Sequence, residues 1–170
     1  YHVLETVHGK DGARIARESH QGAIDAIERF AREEGIDCDF ERVDGYWISD
    51  PKKGRGWLEK ERDAAHRAGA TDVEIVDSVP GFPSSSEPGL RFPRMGQFHV
   101  LKYLDGLVRC IQRDGGRIHT GNHVDKVEGG DRPRVSGEGF SVSAGAVVVA
   151  TNTPISDFVA IHTKQAPYRT

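Results

Sequence analysis

Ala146-Val147-Val148-Val149-Ala150 is a short run, apolar at every position and rich in β-branched side chains. A strand with one wet face alternates apolar and polar residues. A run that is apolar on both faces asks for cover on both sides, as in the interior of a parallel sheet. It closes in Thr151-Asn152-Thr153-Pro154, small polar residues that turn a chain. A strand of this kind constrains the fold strongly, because it needs strands beside it and helices above and below.

The rest of the sequence supplies helices and further strands in alternation. Between Gly12 and Glu34, residues Ala16, Ala23, Ile24, Ile27, Phe30 and Ala31 recur at three- and four-residue steps. That spacing predicts one face of a helix, ended by Gly35 in the left-handed closing conformation. Cys38 to Ser49 reads as two strand segments bent at Gly45. After the Asp50-Pro51 break, Trp57 to Ala68 has helical composition and stops at Gly69, and Val73–Val76 follows as a strand. Val79 to Gly89 carries three prolines, three serines and two glycines, which predicts an exposed loop. Gly89 to Phe98 reads as extended, with Leu90 and Phe92 packing inward.

A second helix is predicted over His99 to Asp114, where Val100, Leu101, Tyr103, Leu104, Leu107, Val108 and Ile111 make a wide apolar stripe that ends at Gly115-Gly116. Arg117–Glu128 and Arg134–Val142 are read as two further strands. The fold class is therefore α+β (mixed α/β), which sets aside a solenoid, a helical bundle and an all-β sandwich.

With 170 residues, 36% hydrophobic and 29% charged, the chain has the balance of a soluble globular protein. A net charge of -3 with both signs interspersed creates no field for nucleic acid or an anionic membrane. No apolar run approaches the roughly 20 residues that span a bilayer. The start at Tyr1-His2-Val3 is neither a methionine nor a signal peptide, so the sequence is expected to be cut from something longer, with a cytoplasmic location. Cys38 and Cys110 are sparse and far apart, which favours two reduced core thiols over a disulfide.

From Phe98 onward the order of motifs is specific. His99-Val100-Leu101-Lys102-Tyr103-Leu104-Asp105-Gly106-Leu107 leads into Asp114-Gly115-Gly116-Arg117-Ile118, then Gly121-Asn122-His123-Val124-Asp125-Lys126-Val127-Glu128, a hairpin, and Ala146 to Pro154. This order resembles the middle of the D-amino-acid-oxidase-type flavoproteins, the group of glycine oxidase, sarcosine oxidase and γ-glutamylputrescine oxidase. Glu34-Gly35-Ile36-Asp37-Cys38-Asp39-Phe40, followed by Gly45-Tyr46-Trp47, resembles the entry to their substrate-domain sheet.

The resemblance implies an FAD-dependent oxidoreductase acting on a C–N bond of an amine or amino acid. It implies residues 1–37 and 99–170 in an incomplete FAD-binding domain and 38–98 in a substrate-domain segment, part of an FAD-binding sheet plus a strand-rich domain with covering helices. Cofactor contact is implied for Val124, Ala150, Thr151 and Asn152. On the residues alone, Ala150-Thr151-Asn152 also fits a plain strand end, and Val124 a plain strand valine. Tyr46, Arg91, Phe92, Met95, Gln97 and His99 are candidates for the substrate pocket, although aromatics after a strand glycine, such as Tyr46 and Trp47, more often belong to a core.

The family's Gly-x-Gly-x-x-Gly turn does not occur; Gly137-Glu138-Gly139 runs into strand residues. The isolated chain is therefore expected to hold FAD weakly or not at all and to be inactive alone. A non-catalytic binding or scaffold domain, or a flavin dehydrogenase that does not use oxygen, remain the competing readings.

Other constellations carry less. His119 and His123 on a strand would stand about 13 Å apart, too far to share a metal. Ser84-Ser85-Ser86 has no hydrolase elbow. Glu59-Lys60-Glu61-Arg62-Asp63 reads as a solvated helix face. No metal ligand and no catalytic acid or base is assigned, since in such enzymes the flavin does the hard chemistry. The sequence is silent on oligomeric state.

Overall fold

A computed structural model describes residues 1–48, 53–81 and 88–151. The chain forms two compact units, Tyr1–Gly116 and Arg117–Thr170.

In the first unit, helix α1 (His2–Glu33) leads to strand β1 (Glu41–Ile48), helix α2 (Arg55–Arg67), strands β2 (Glu74–Val76) and β3 (Gly89–Gln97), and helix α3 (Val100–Arg113). The helix starts earlier than the apolar spacing predicts, and it is broken at Gly9 (φ 72°, ψ 175°). That backbone region is open essentially to glycine alone. Val3 and Val7, ahead of the break, are 65% and 67% exposed and so supply no amphipathic signal.

All three helices end on the same motif. Gly35, Gly69 and Gly115 take positive φ. The next residue's N–H then reaches back five positions, Ile36 to the Ala31 carbonyl at 2.8 Å, Ala70 to Ala65 at 2.9 Å and Gly116 to Ile111 at 2.7 Å. Orphan end carbonyls are thereby satisfied, and in α1 and α2 the following side chains, Ile36 and Ala70, are buried.

The strands form a three-stranded antiparallel sheet in the order β1-β3-β2. β1 is one strand with an irregularity between Val43 and Gly45. Asp44 there stands opposite both Pro93 and Arg94, the two-against-one count of a β-bulge. Leu58 and Ala65 of α2 pack with Ala70, Val73 and Leu90 of the sheet side, edged by Trp57, Ile75 and Phe92. A second cluster of Ala31, Ile36 and Cys38 meets Phe40, Phe98, Tyr103, Leu107 and Cys110. Both thiols are free, Cys38 buried and Cys110 half-buried.

Two local expectations are corrected. Val79, read as part of an exposed loop, is buried, against Gly89, where a Cβ would come within 2.8 Å of its Cγ2. The remainder of that loop, 82–87, lies outside the described residues. Glu61, read as part of a solvated charge run, is also buried; its carboxylate accepts from the His2 N–H at 2.8 Å and pairs with the Tyr1 ammonium. An acid at a helix start satisfies free N–H groups there.

The second unit holds a small antiparallel sheet of β4 (Lys126–Glu128), β5 (Arg134–Gly137) and β6 (Phe140–Ser143). Only the last three residues of the expected 117–128 strand pair. The expected 134–142 strand is folded into a hairpin about Glu138-Gly139, with Gly139 at φ 77°. The run Ala146–Ala150 is not a buried parallel strand. It joins no ladder among the described residues, and Val148 and Val149 are 87% and 49% exposed. A strand exists only where neighbours take its N–H and C=O groups. Among the described residues the ladders of this unit join only β4 to β5 and β5 to β6. The fold class is α+β, as the alternation of elements implies. Among the described residues no helix is long and apolar enough to cross a membrane.

Candidate functional site

The substrate-side candidates lie on or next to β1 and β3. Tyr46 and Arg91 are cross-strand partners and so share one face of the sheet. Arg91 donates from Nε to Asp44 Oδ2 at 2.7 Å and from Nη1 to Glu74 Oε1 at 2.6 Å. These hydrogen bonds, the one to Asp44 foremost, raise the guanidinium pKa above its ordinary value. Arg91 is thus held by carboxylates from both neighbouring strands, and a substrate carboxylate would meet it already paired.

Phe92, the next residue along, faces the other way. It stacks on Tyr1 with ring centroids 6.4 Å apart and borders the α2 core. Met95 lies over Gly45, where a Cβ would stand 3.0 Å from Met95 Cγ. Gln97 Nε2 donates to Glu41 Oε2 at 3.0 Å. His99 caps α3, its Nδ1 accepting from the Lys102 N–H at 3.4 Å, while its own N–H donates to the Cys38 carbonyl at 2.7 Å. The six candidates are therefore not one cluster. Tyr46 and Arg91 pair on one face, Phe92 and Met95 come together elsewhere, and Gln97 and His99 serve the end of β3 and the start of α3.

Phe92 and Met95 meet at a cavity of about 570 Å³ between α1 and β3. The other walls come from both sides of the Gly9 break, Tyr1 and Leu4 before it and Arg17, His20 and Ile24 after it, with Arg94 on the β3 side. Asp25, also on this wall, is bound by Arg42 Nη2 at 2.6 Å, and that hydrogen bond holds its carboxyl below the usual carboxylate range. Arg42 reaches Glu28 from Nε at 3.0 Å and the Arg94 carbonyl from Nη1 at 3.0 Å, tying α1 to both strands. Sequence reasoning missed Arg17, His20 and Arg94. Pro93 is the one signal it offered, because proline cannot donate to a ladder and marks irregular strand.

The cofactor-side candidates fall in the second unit. Val124 is half-buried just ahead of β4, and Ala150 and Thr151 are exposed. Asn152 lies outside the described residues. For FAD, the exposed small residues at 150–151 leave room for close backbone approach. The pyrophosphate, however, is usually held by a glycine turn at a helix N-terminus. The start of α3, with His99 folded onto its first turn, does not provide one. The residues present are thus a partial fit, able to touch the cofactor but not to cradle its phosphates. Among the described residues no three histidine, cysteine or carboxylate side chains converge on a metal position.

Comparison with known proteins adds two findings. The family model described as FAD dependent oxidoreductase (DAO) matches residues 3–169, running through both units. A Bacillus subtilis (strain 168) protein named as a Rieske 2Fe-2S iron-sulfur protein, YhfW, is 30% identical over 127 residues, 75% of this chain and 25% of that protein. The chain thus spans about a quarter of that relative's length. No solved structure matches the chain.

Proposed function

The chain belongs to the FAD dependent oxidoreductase family, and on that premise we propose that it is part of an enzyme oxidising the C–N bond of an amine or amino acid. The observation that carries this is the unbroken family match over residues 3–169, joined to the order of motifs from His99 to Thr151. In this reading residues 38–98 belong to the substrate domain, and 1–37 and 99–170 to the FAD-binding domain, of a cytoplasmic protein.

Bound FAD supplies the hydride acceptor; the chain's own residues bind, orient and exclude water. Val124, Ala150, Thr151 and Asn152 contribute backbone and small side chains to the cofactor. Tyr46 and Arg91 offer a polar sheet face, and Phe92 and Met95 an apolar wall. Gln97 and His99 fix the passage from β3 into α3. The 170 residues alone bind FAD weakly or not at all and turn nothing over, because they carry no Gly-x-Gly-x-x-Gly turn to cradle its phosphates.

The test is to express the full reading frame. A yellow protein with flavin absorbance that oxidises an amine or amino acid is the expected result, and a folded, colourless one removes the reading. One observation favours a second reading of the electron's fate, namely the Rieske name of the 30%-identical relative. The flavin would then pass electrons to an iron–sulfur centre instead of oxygen. Stoichiometric hydrogen peroxide release marks the oxidase; turnover with an artificial acceptor and no peroxide marks the dehydrogenase.

A further inference from the structure

We propose that the cavity between α1 and β3 binds a small molecule carrying a carboxylate on an apolar body, held by Arg17 and Arg94. The site stands on the walls of the first unit alone; it shares Phe92 and Met95 with the substrate reading above and deepens that reading. A volume of about 570 Å³ is that of a small-molecule site. Phe92 and Ile24 supply apolar wall, and Arg17, Arg94 and His20 supply the polar groups that fix orientation.

Two features separate these arginines from their neighbours. Arg42, Arg67 and Arg91 each hold a carboxylate of the protein at hydrogen-bond distance. Arg17 and Arg94 make no ion pair and donate no side-chain hydrogen bond among the described residues. Asp25, the acid on their wall, is already taken by Arg42. With Asp25 engaged by Arg42, the acid left on the cavity wall beside Arg17 and Arg94 is Asp72.

The second feature is the backbone of Arg94. Its φ is 57°, a left-handed conformation shared among the described non-glycine residues only with Asp39. Aspartate tolerates that region through its short polar side chain; arginine has no such excuse. The conformation comes from the bulge opposite Asp44 and is pinned by the Arg42 hydrogen bond to the Arg94 carbonyl. Bulges re-aim side chains, and strain of this kind collects where a side chain is needed in one direction. A glycine would sit there freely. An arginine held there without a partner inside the protein points to a partner outside it, and the flat fork of two guanidiniums matches a carboxylate.

The experiment is calorimetric titration of the full chain with octanoate and, separately, with 1-octanol, which keeps the tail and drops the charge. Octanoate is expected to bind one to one and about tenfold or more tightly than 1-octanol. Arg17→Met and Arg94→Met should each weaken octanoate about tenfold and leave 1-octanol unchanged. Arg94→Gly is the decisive variant, because it relieves the backbone while removing the guanidinium. Its unfolding midpoint should stay level or rise as octanoate affinity falls. Octanoate binding no better than 1-octanol, or not at all, overturns the proposal. So does an Arg94→Gly chain that keeps wild-type affinity.

Discussion

Gly106 sets how closely α3 lies on the end of α1. A Cβ there would come within 2.8 Å of Ile36 Cγ1 and closer still to its Cγ2. Ile36 is buried, and its own N–H is fixed in the closing turn of α1. Gly106→Ala is expected to lower stability by about 1–3 kcal/mol despite alanine's better helix propensity. Urea unfolding checks it; a variant as stable as the parent would show that the helices can part. At this scale the sequence was uneven. The stops at Gly35, Gly69 and Gly115 were legible, because one residue type in a helical pattern announces them. Arg91's double hold was not, since Asp44 and Glu74 come together only through strand register. The left-handed Arg94 was equally hidden, because nothing local distinguishes it from any arginine.

Among the elements, α1 and the sheet are joined through Arg42, whose side chain is 16% exposed while its partners Asp25 and Glu28 are 54% and 39% exposed. Arg42→Met should cost about 1 kcal/mol, the modest value of a half-wet ion pair, with the loss shrinking in high salt. A loss independent of salt would mean that packing of the side chain, not charge, makes the joint. Helices α2 and α3 were readable within two residues of their bounds, because their apolar stripes face real cover or end on glycine. The 146–150 run shows the opposite case. Its composition describes what a strand needs on either side, while pairing depends on segments far off in sequence, and among the described residues none takes it up. For the candidate site the same division holds. The residues of β3 were identified as a group, but alternation along the strand sends Arg91 and Phe92 to opposite faces.

For the molecule as a whole, acid should be the sharpest stress. Glu5, Asp25, Asp63, Asp114 and Glu128 have carboxyl pKa values lowered by hydrogen bonds from Arg67, Arg42, Arg62, Arg113 and Lys126. A depressed folded-state pKa means that the stabilisation is complete above the unfolded values, 3.8 for aspartate and 4.5 for glutamate, and is lost as pH falls through the folded ones. The unfolding midpoint should therefore hold level from neutrality to about pH 5 and drop below it. A midpoint unchanged down to pH 3 would contradict those pairings.

The outer side of α3 has a practical sequel. Leu101 and Leu104 are 67% and 50% exposed, with Val100 and Ile111 near half. Greasy surface turned to water makes a polypeptide cling to its own kind. Ammonium sulfate strengthens that tendency. These 170 residues should accordingly come out of solution early in a salt cut, and Leu101→Lys with Leu104→Glu should delay it.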